Sequence, residues 1–190
     1  MILLACLIFI ILFHELGHLW AAKICKCGVN IFSIGFGKPL FKFTWHKTTY
    51  QIAPILFGGF CELRDELKYS RSKYAFTNKT YGQKVFISLA GILMNIITGL
   101  ISYGLCFFIY NKIFIIFAIY SIVMGLSNAL PIPALDGSFW IAFLFEKKFG
   151  KKRCYEILSS MFSKWFTWLM ILNLISIPYV IWLIYTGKIL

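Results

Sequence analysis

Four stretches of this chain are apolar for long enough to cross a bilayer, and the first of them holds three ionisable residues within five positions. The stretches run over about 2–24, 84–109, 113–145 and 165–186. A helical crossing takes about 20 residues. Lipid offers no water to satisfy a bare N–H or C=O, so a spanning segment must be a helix unless a sheet closes on itself. The third stretch is too long for one straight span, and Pro131 and Pro133 interrupt it. Of the 190 residues, 60% are hydrophobic and 14% are charged, against about 45–50% and 25% in soluble domains. The surplus of apolar side chains needs lipid to face. The expected fold class is therefore an all-α polytopic membrane protein with about four transmembrane helices.

The net charge is +12, yet no basic helix or base-stacking module accompanies it, so no nucleic-acid partner is expected. The basic residues gather in two connections, Lys26 to Lys79 between the first and second stretches and Lys147 to Lys164 between the third and fourth. The remaining connection and the tail carry Lys112 and Lys188. Basic and nearly neutral connections alternate, as four spans require. The positive-inside bias then puts both termini outside and both basic loops in the cytoplasm. We expect an integral protein of a bacterial cytoplasmic membrane, with the lipid bilayer and its anionic headgroups as partners. The first stretch lacks a basic lead-in and a small-residue cleavage site, so it reads as an uncleaved helix. The six cysteines form no C-x-x-C pair and read as reduced thiols.

Between the first two stretches the pattern changes. Residues 31–44 and 49–60 are rich in aromatic and β-branched side chains, punctuated by glycine and proline, which predicts short strands or hairpins. They are too apolar for a solvated loop, so a membrane-associated β-region is expected over about 31–60. Residues 62–83 are polar and mixed in charge and read as a surface segment.

His14-Glu15-Leu16-Gly17-His18 lies in the first stretch. On a helix, positions four apart share a face, so both imidazoles can reach one zinc ion while Glu15 stands beside a water as general base. Ionisable groups at mid-bilayer cost about 2.5–3.5 kcal/mol each on the insertion scale. A metal would compensate all three. A catalytic zinc keeps three protein ligands and one open position. The third ligand is His46 or a carboxylate. Asp136 is the better candidate, because it is the one other acidic residue within a stretch and it follows the helix-breaking Pro131-Ile132-Pro133.

These residues resemble the site-2 protease family of intramembrane metalloproteases. The resemblance rests on His14 to His18, on Asn128-Ala129-Leu130-Pro131-Ile132-Pro133-Ala134-Leu135-Asp136-Gly137, on Gly58-Gly59 within the β-region, and on Ala90-Gly91-Ile92-Leu93-Met94-Asn95. Ile92 and Ser138 depart from the usual proline and second glycine. The resemblance implies Zn2+ held by His14, His18 and Asp136, Glu15 as base, and Asn128 and Asn95 as groups that orient substrate or stabilise the oxyanion. The expected substrate is a transmembrane protein, docked as an extended strand near Gly58 and Gly59 and cut within or near the bilayer. Residues 1–145 form the expected catalytic core, with no room for a PDZ domain. Residues 146–190 form a basic cytoplasmic loop and a fourth helix. A metal or cation transporter and a non-catalytic membrane chaperone are the alternatives. No inverted repeat supports the first, and the second would be expected to have lost a ligand or the base.

Overall fold

A computed structural model describes residues 2–66, 68, 70–109, 111–132, 135–139, 146, 148–150, 152–157, 159, 160 and 164. The first apolar stretch is one unbroken helix, α1 (Ile2–Ile24). It ends where Lys26 turns left-handed at φ +52. The Cys27 N–H then reaches back to the Ala22 carbonyl at 2.8 Å, so a carbonyl left bare by the last turn is satisfied.

The β-region is a mixed four-stranded sheet of β1 (Val29–Phe36), β2 (Phe41–Trp45), β3 (Thr48–Ile52) and β4 (Ile55–Leu63). Their order is β2-β3-β1-β4. β1 runs parallel to β3 and antiparallel to β4, while β2 runs antiparallel to β3. β1 and β4 lie against α1. Phe32 and Leu63 from the sheet join Leu19 and Ala22 from α1 in the core. β2 is an edge strand exposed along its whole length, with Phe41, Phe43 and Trp45 on one face. Such an edge is a hazard in water but suits a membrane interface, where aromatic side chains gather.

Residues 62–83 depart from the expected surface segment. Phe76 is fully buried in a short 3-10 turn (Phe76–Asn78), and its N–H donates to the Arg64 carbonyl at 2.8 Å. The Lys79 ammonium donates to the carbonyls of Lys26 and Lys73. The segment is polar because its side chains satisfy its own folded-in backbone. The Ala75-Phe76 pair was the signal for burial.

Thr80 and Gln83 then form a capping box, each side chain meeting the other's backbone N–H, and open α2 (Tyr81–Ile109). Asn111 caps α3 (Lys112–Asn128) by accepting from the Ile113 N–H. The long third stretch breaks where the prolines require, since α3 stops at Asn128. Small and polar side chains line the α2–α3 seam: Ser121 donates to the Asn95 carbonyl at 2.8 Å, and Ser102 to that of Phe114 at 2.8 Å. Among the described residues, α1 and α2 are the helices long and apolar enough to cross a membrane, and α3 is a shorter apolar helix. Of the four expected spans, the stretch 165–186 lies outside the described residues.

All six cysteines are free. Burial pushes the Cys27 thiol up to about 12, so it stays protonated.

Lys84 is 2% exposed near the start of α2 and is ion-paired with Glu146, which also accepts from the Tyr155 hydroxyl. Removing one partner of a buried pair leaves an uncompensated charge, at a cost of about 3–5 kcal/mol. Lys84→Met should therefore lower thermal stability and expose the chain around Glu146 and Tyr155 to protease. Lys84→Met with Glu146→Gln should recover most of that loss.

Candidate active site

α1 places His14, Glu15 and His18 in the protein interior, at 4%, 7% and 8% exposure. The two imidazole Nε2 atoms stand 3.3 Å apart. The His18 Nδ1–H donates to the Ile87 carbonyl on α2 at 2.8 Å. A carbonyl only accepts, so Nδ1 carries the hydrogen and the neutral ring keeps its lone pair on Nε2. The ring fits because α2 presents Gly91 to it: a Cβ there would fall 2.2 Å from His18 Nε2.

Asp136 arrives from 118 positions away. Its Oδ2 lies 3.0 Å from His14 Nε2 and 3.1 Å from His18 Nε2. The chain gets there by folding back on the end of α3, where the Gly137 N–H donates to the Asn128 carbonyl at 2.8 Å. A Cβ at position 137 would stand 2.3 Å from the carbonyl oxygens of Ala129 and Leu130, so this return requires glycine.

The donor set fits zinc. With His14 in the same tautomer as His18, two imidazole lone pairs and a carboxylate oxygen converge with no hydrogen between them, an arrangement that a bound metal ion stabilises. A tetrahedral zinc ion with bonds of about 2.0–2.1 Å separates its ligands by about 3.3 Å, and these three atoms lie 3.0, 3.1 and 3.3 Å apart. They are the group that could hold a metal among the described residues.

The three atoms open onto a cavity of about 620 Å³, lined also by Glu15, by β4 from Gly58 to Leu63, by Ser88 of α2 and by Asn128 of α3. Gly58, Gly59 and Asn128 thus stand at the cavity. Asn128 donates one amide hydrogen to the Met124 carbonyl at 3.0 Å. Asn95 does not line the cavity. It is fully buried against the opposite edge of His14, its Nδ2 3.1 Å from Nδ1, so it touches the histidine and not the space for substrate. His46 sits at the β2–β3 turn against Trp45, outside this cavity.

Glu62 and Glu66 also line the cavity, though both fell in the expected surface segment. With Asp65 they are the acidic residues of an otherwise basic loop, and that was their signal. Burial pushes the Glu66 carboxyl up to about 7, against the pull of the Leu63 N–H. The lining holds four carboxylates and no lysine or arginine.

The profile of Peptidase family M50 matches residues 2–112. The chain is 42% identical over 101 residues to the regulator of sigma-E protease RseP of Salmonella typhimurium, covering 50% of this chain and 22% of that protein. Protease RseP of Yersinia pestis is 39% identical over 101 residues, covering 50% of this chain and 22% of its own. A protein of Borreliella burgdorferi assigned as a zinc metalloprotease is 36% identical over 120 residues, 55% of this chain and 28% of its own. The matched part of this chain thus spans 22% to 28% of the length of these relatives. The family match ends before Asp136, so the meeting of that carboxylate with the histidines is an independent observation.

Proposed function

The chain belongs to peptidase family M50, the zinc metalloproteases of the site-2 type, and from that premise we propose that it is an endopeptidase that hydrolyses membrane-protein substrates within or near the bilayer. One observation carries the reading: a carboxylate oxygen 118 positions from His18 stands within 3.1 Å of both imidazoles, on the wall of a cavity that Glu15 shares. His18 lies five residues from Lys23 near the end of α1, about 7–8 Å along the axis, so the chemistry takes place a short way below the headgroups.

His14, His18 and Asp136 would hold the metal. Zinc bound there supplies a Lewis acid for the scissile carbonyl and lowers the pKa of a water. The substrate lies as an extended strand along β4, which pairs with β1 on one side only among the described residues and so offers a free edge. Glu15 takes the proton of the attacking water as the C–O bond forms. It returns that proton to the amine nitrogen as the C–N bond breaks. Asn128 lines the cavity, and its second amide hydrogen donates to the developing oxyanion in this reading. Products released inward and a cytoplasm-facing β-region follow from the charge of the loops.

Asn95 acts through His14. Metal binding at Nε2 requires the hydrogen on Nδ1, and that hydrogen needs an acceptor. Asn95 Oδ1 is buried with no other partner among the described residues, and turning the amide brings it to Nδ1. Asn95→Leu should weaken zinc binding by about 10–100-fold, and Asn95→Asp should restore it; competition with a chromophoric chelator reads both. An aspartate that fails to rescue would mean that the amide hydrogen, not the oxygen, is what His14 needs. For Gly137→Ala, where a methyl meets two carbonyls, zinc loss by a comparable factor is expected, because Asp136 moves away from the histidines.

The deciding experiment puts the full chain into lipid nanodiscs with a single-span protein. Cleavage within or beside the span, blocked by a chelator and recovered with zinc, is the expected outcome. An uncut span, together with zinc uptake into sealed vesicles, would replace hydrolysis by transport.

A further inference from the structure

On the face of α1 opposite the candidate active site, two cavities meet at Lys23 and His46. The larger, about 590 Å³, is an apolar slot between α1, α2 and the β2–β3 hairpin, walled by Leu16, Trp20, Tyr50, Met94, Ile97 and Ile101. The smaller, about 260 Å³, is a cup lined by Lys23, His46, Lys47 and Arg64, and no carboxylate lines it. Among the described residues Lys23, Lys47 and Arg64 form no ion pair. The Lys23 ammonium donates to the Thr48 hydroxyl at 2.8 Å, so the cup bridges the end of α1 and the hairpin.

The hairpin turn is strained. His46 and Lys47 both take left-handed backbone, at φ +46 and +64, where Asn-Gly would sit without cost. Strain of this kind persists where the residues have another task. Here it holds two basic side chains at the cup. Trp20 and Trp45 are exposed beside them, as aromatic residues are at the level of lipid headgroups.

We propose that slot and cup together bind one anionic phospholipid, an acyl chain lying along the slot and the phosphate resting in the cup. Three unpaired cations crowded at a membrane interface repel one another, and a phosphate neutralises them through charge-assisted hydrogen bonds. A choline headgroup offers the slot the same acyl chain but adds a positive charge over a positive cup. The bound lipid pins the hairpin, and with it the sheet, to the end of α1 five residues from His18. This binding does not depend on the proposed proteolysis.

Native mass spectrometry of the full chain in neutral detergent tests it, with phosphatidylglycerol and phosphatidylcholine of identical chains as probes. The wild type should retain one phosphatidylglycerol about tenfold more tightly. The double substitution His46→Asn/Lys47→Gly relaxes the turn while removing charge from the cup. It should bring the two lipids within about twofold of each other, with thermal stability in the absence of lipid unchanged or raised. Lys73→Ser removes the same type of charge outside both cavities and should leave the preference intact. If the double variant does not fold, Arg64→Gln is expected to show the same loss. Equal retention of the two lipids by the wild type would overturn the proposal. So would a preference untouched by the cup variants, one lost equally in Lys73→Ser, or displacement of the lipid by millimolar inorganic phosphate, which would mark a free-anion site.

Discussion

Glu15→Gln should leave zinc bound at full stoichiometry and reduce cleavage by about 10²–10⁴-fold, the range for loss of a positioned general base. Glutamine keeps the shape of the side chain, so the packing of α1 against β4 is undisturbed. It cannot take a proton from water. Glu15 lines the cavity beside His14 and His18 but is not among the three residues that converge on a metal, so its loss separates chemistry from binding. Cells carrying the wild type or the glutamine form can be compared for membrane-protein fragments present only with the first, which also identifies substrates. An E15Q chain that still cuts would end the proposed mechanism, and one that loses its zinc would make Glu15 a ligand.

Asp136→Ala should weaken zinc retention by more than about 100-fold, since even outer partners of a ligand are worth 10–100-fold. Two imidazoles fixed on α1 would remain, as the His18 Nδ1–H still donates to Ile87. The fold should therefore persist while the metal leaves, and metal analysis after dialysis against a weak chelator, alongside thermal unfolding, distinguishes the two. Undiminished zinc in D136A would remove the carboxylate from the ligand set and return His46 to consideration. That would be a difficult result to accommodate, because His46 lines a different cavity near the β2–β3 turn.

Hydropathy put the starts of the second and third stretches at about 84 and 113, and the helices begin at Tyr81 and Lys112. The difference is capping by Thr80, Gln83 and Asn111, a local polar signal that apolar content does not register. The β-region was readable as strands from its aromatic and β-branched content, but its strand order was not. A parallel β1–β3 pair beside an antiparallel β1–β4 pair depends on which edges α1 can cover. Asn95 shows the limit most clearly. Its place near the site was implied by the resemblance, but a motif does not say which edge of an imidazole it meets. The Ala75-Phe76 pair was hidden by the polarity around it, because the polar side chains there serve the segment's own backbone.

By itself the sequence marked the first two spans, which α1 and α2 match among the described residues, and the pairing of His14 with His18, because four helical residues bring two side chains to one face wherever the helix lies. Tertiary structure brought Asp136, which the sequence could only nominate, against the histidines, and it alone decided that Glu62 and Glu66 face the same cavity. It also decided that the hairpin's basic turn closes against Lys23. Those contacts join segments tens of residues apart, and what selects them is close packing at positions such as Gly91 and Gly137. That packing exists only once the helices have met.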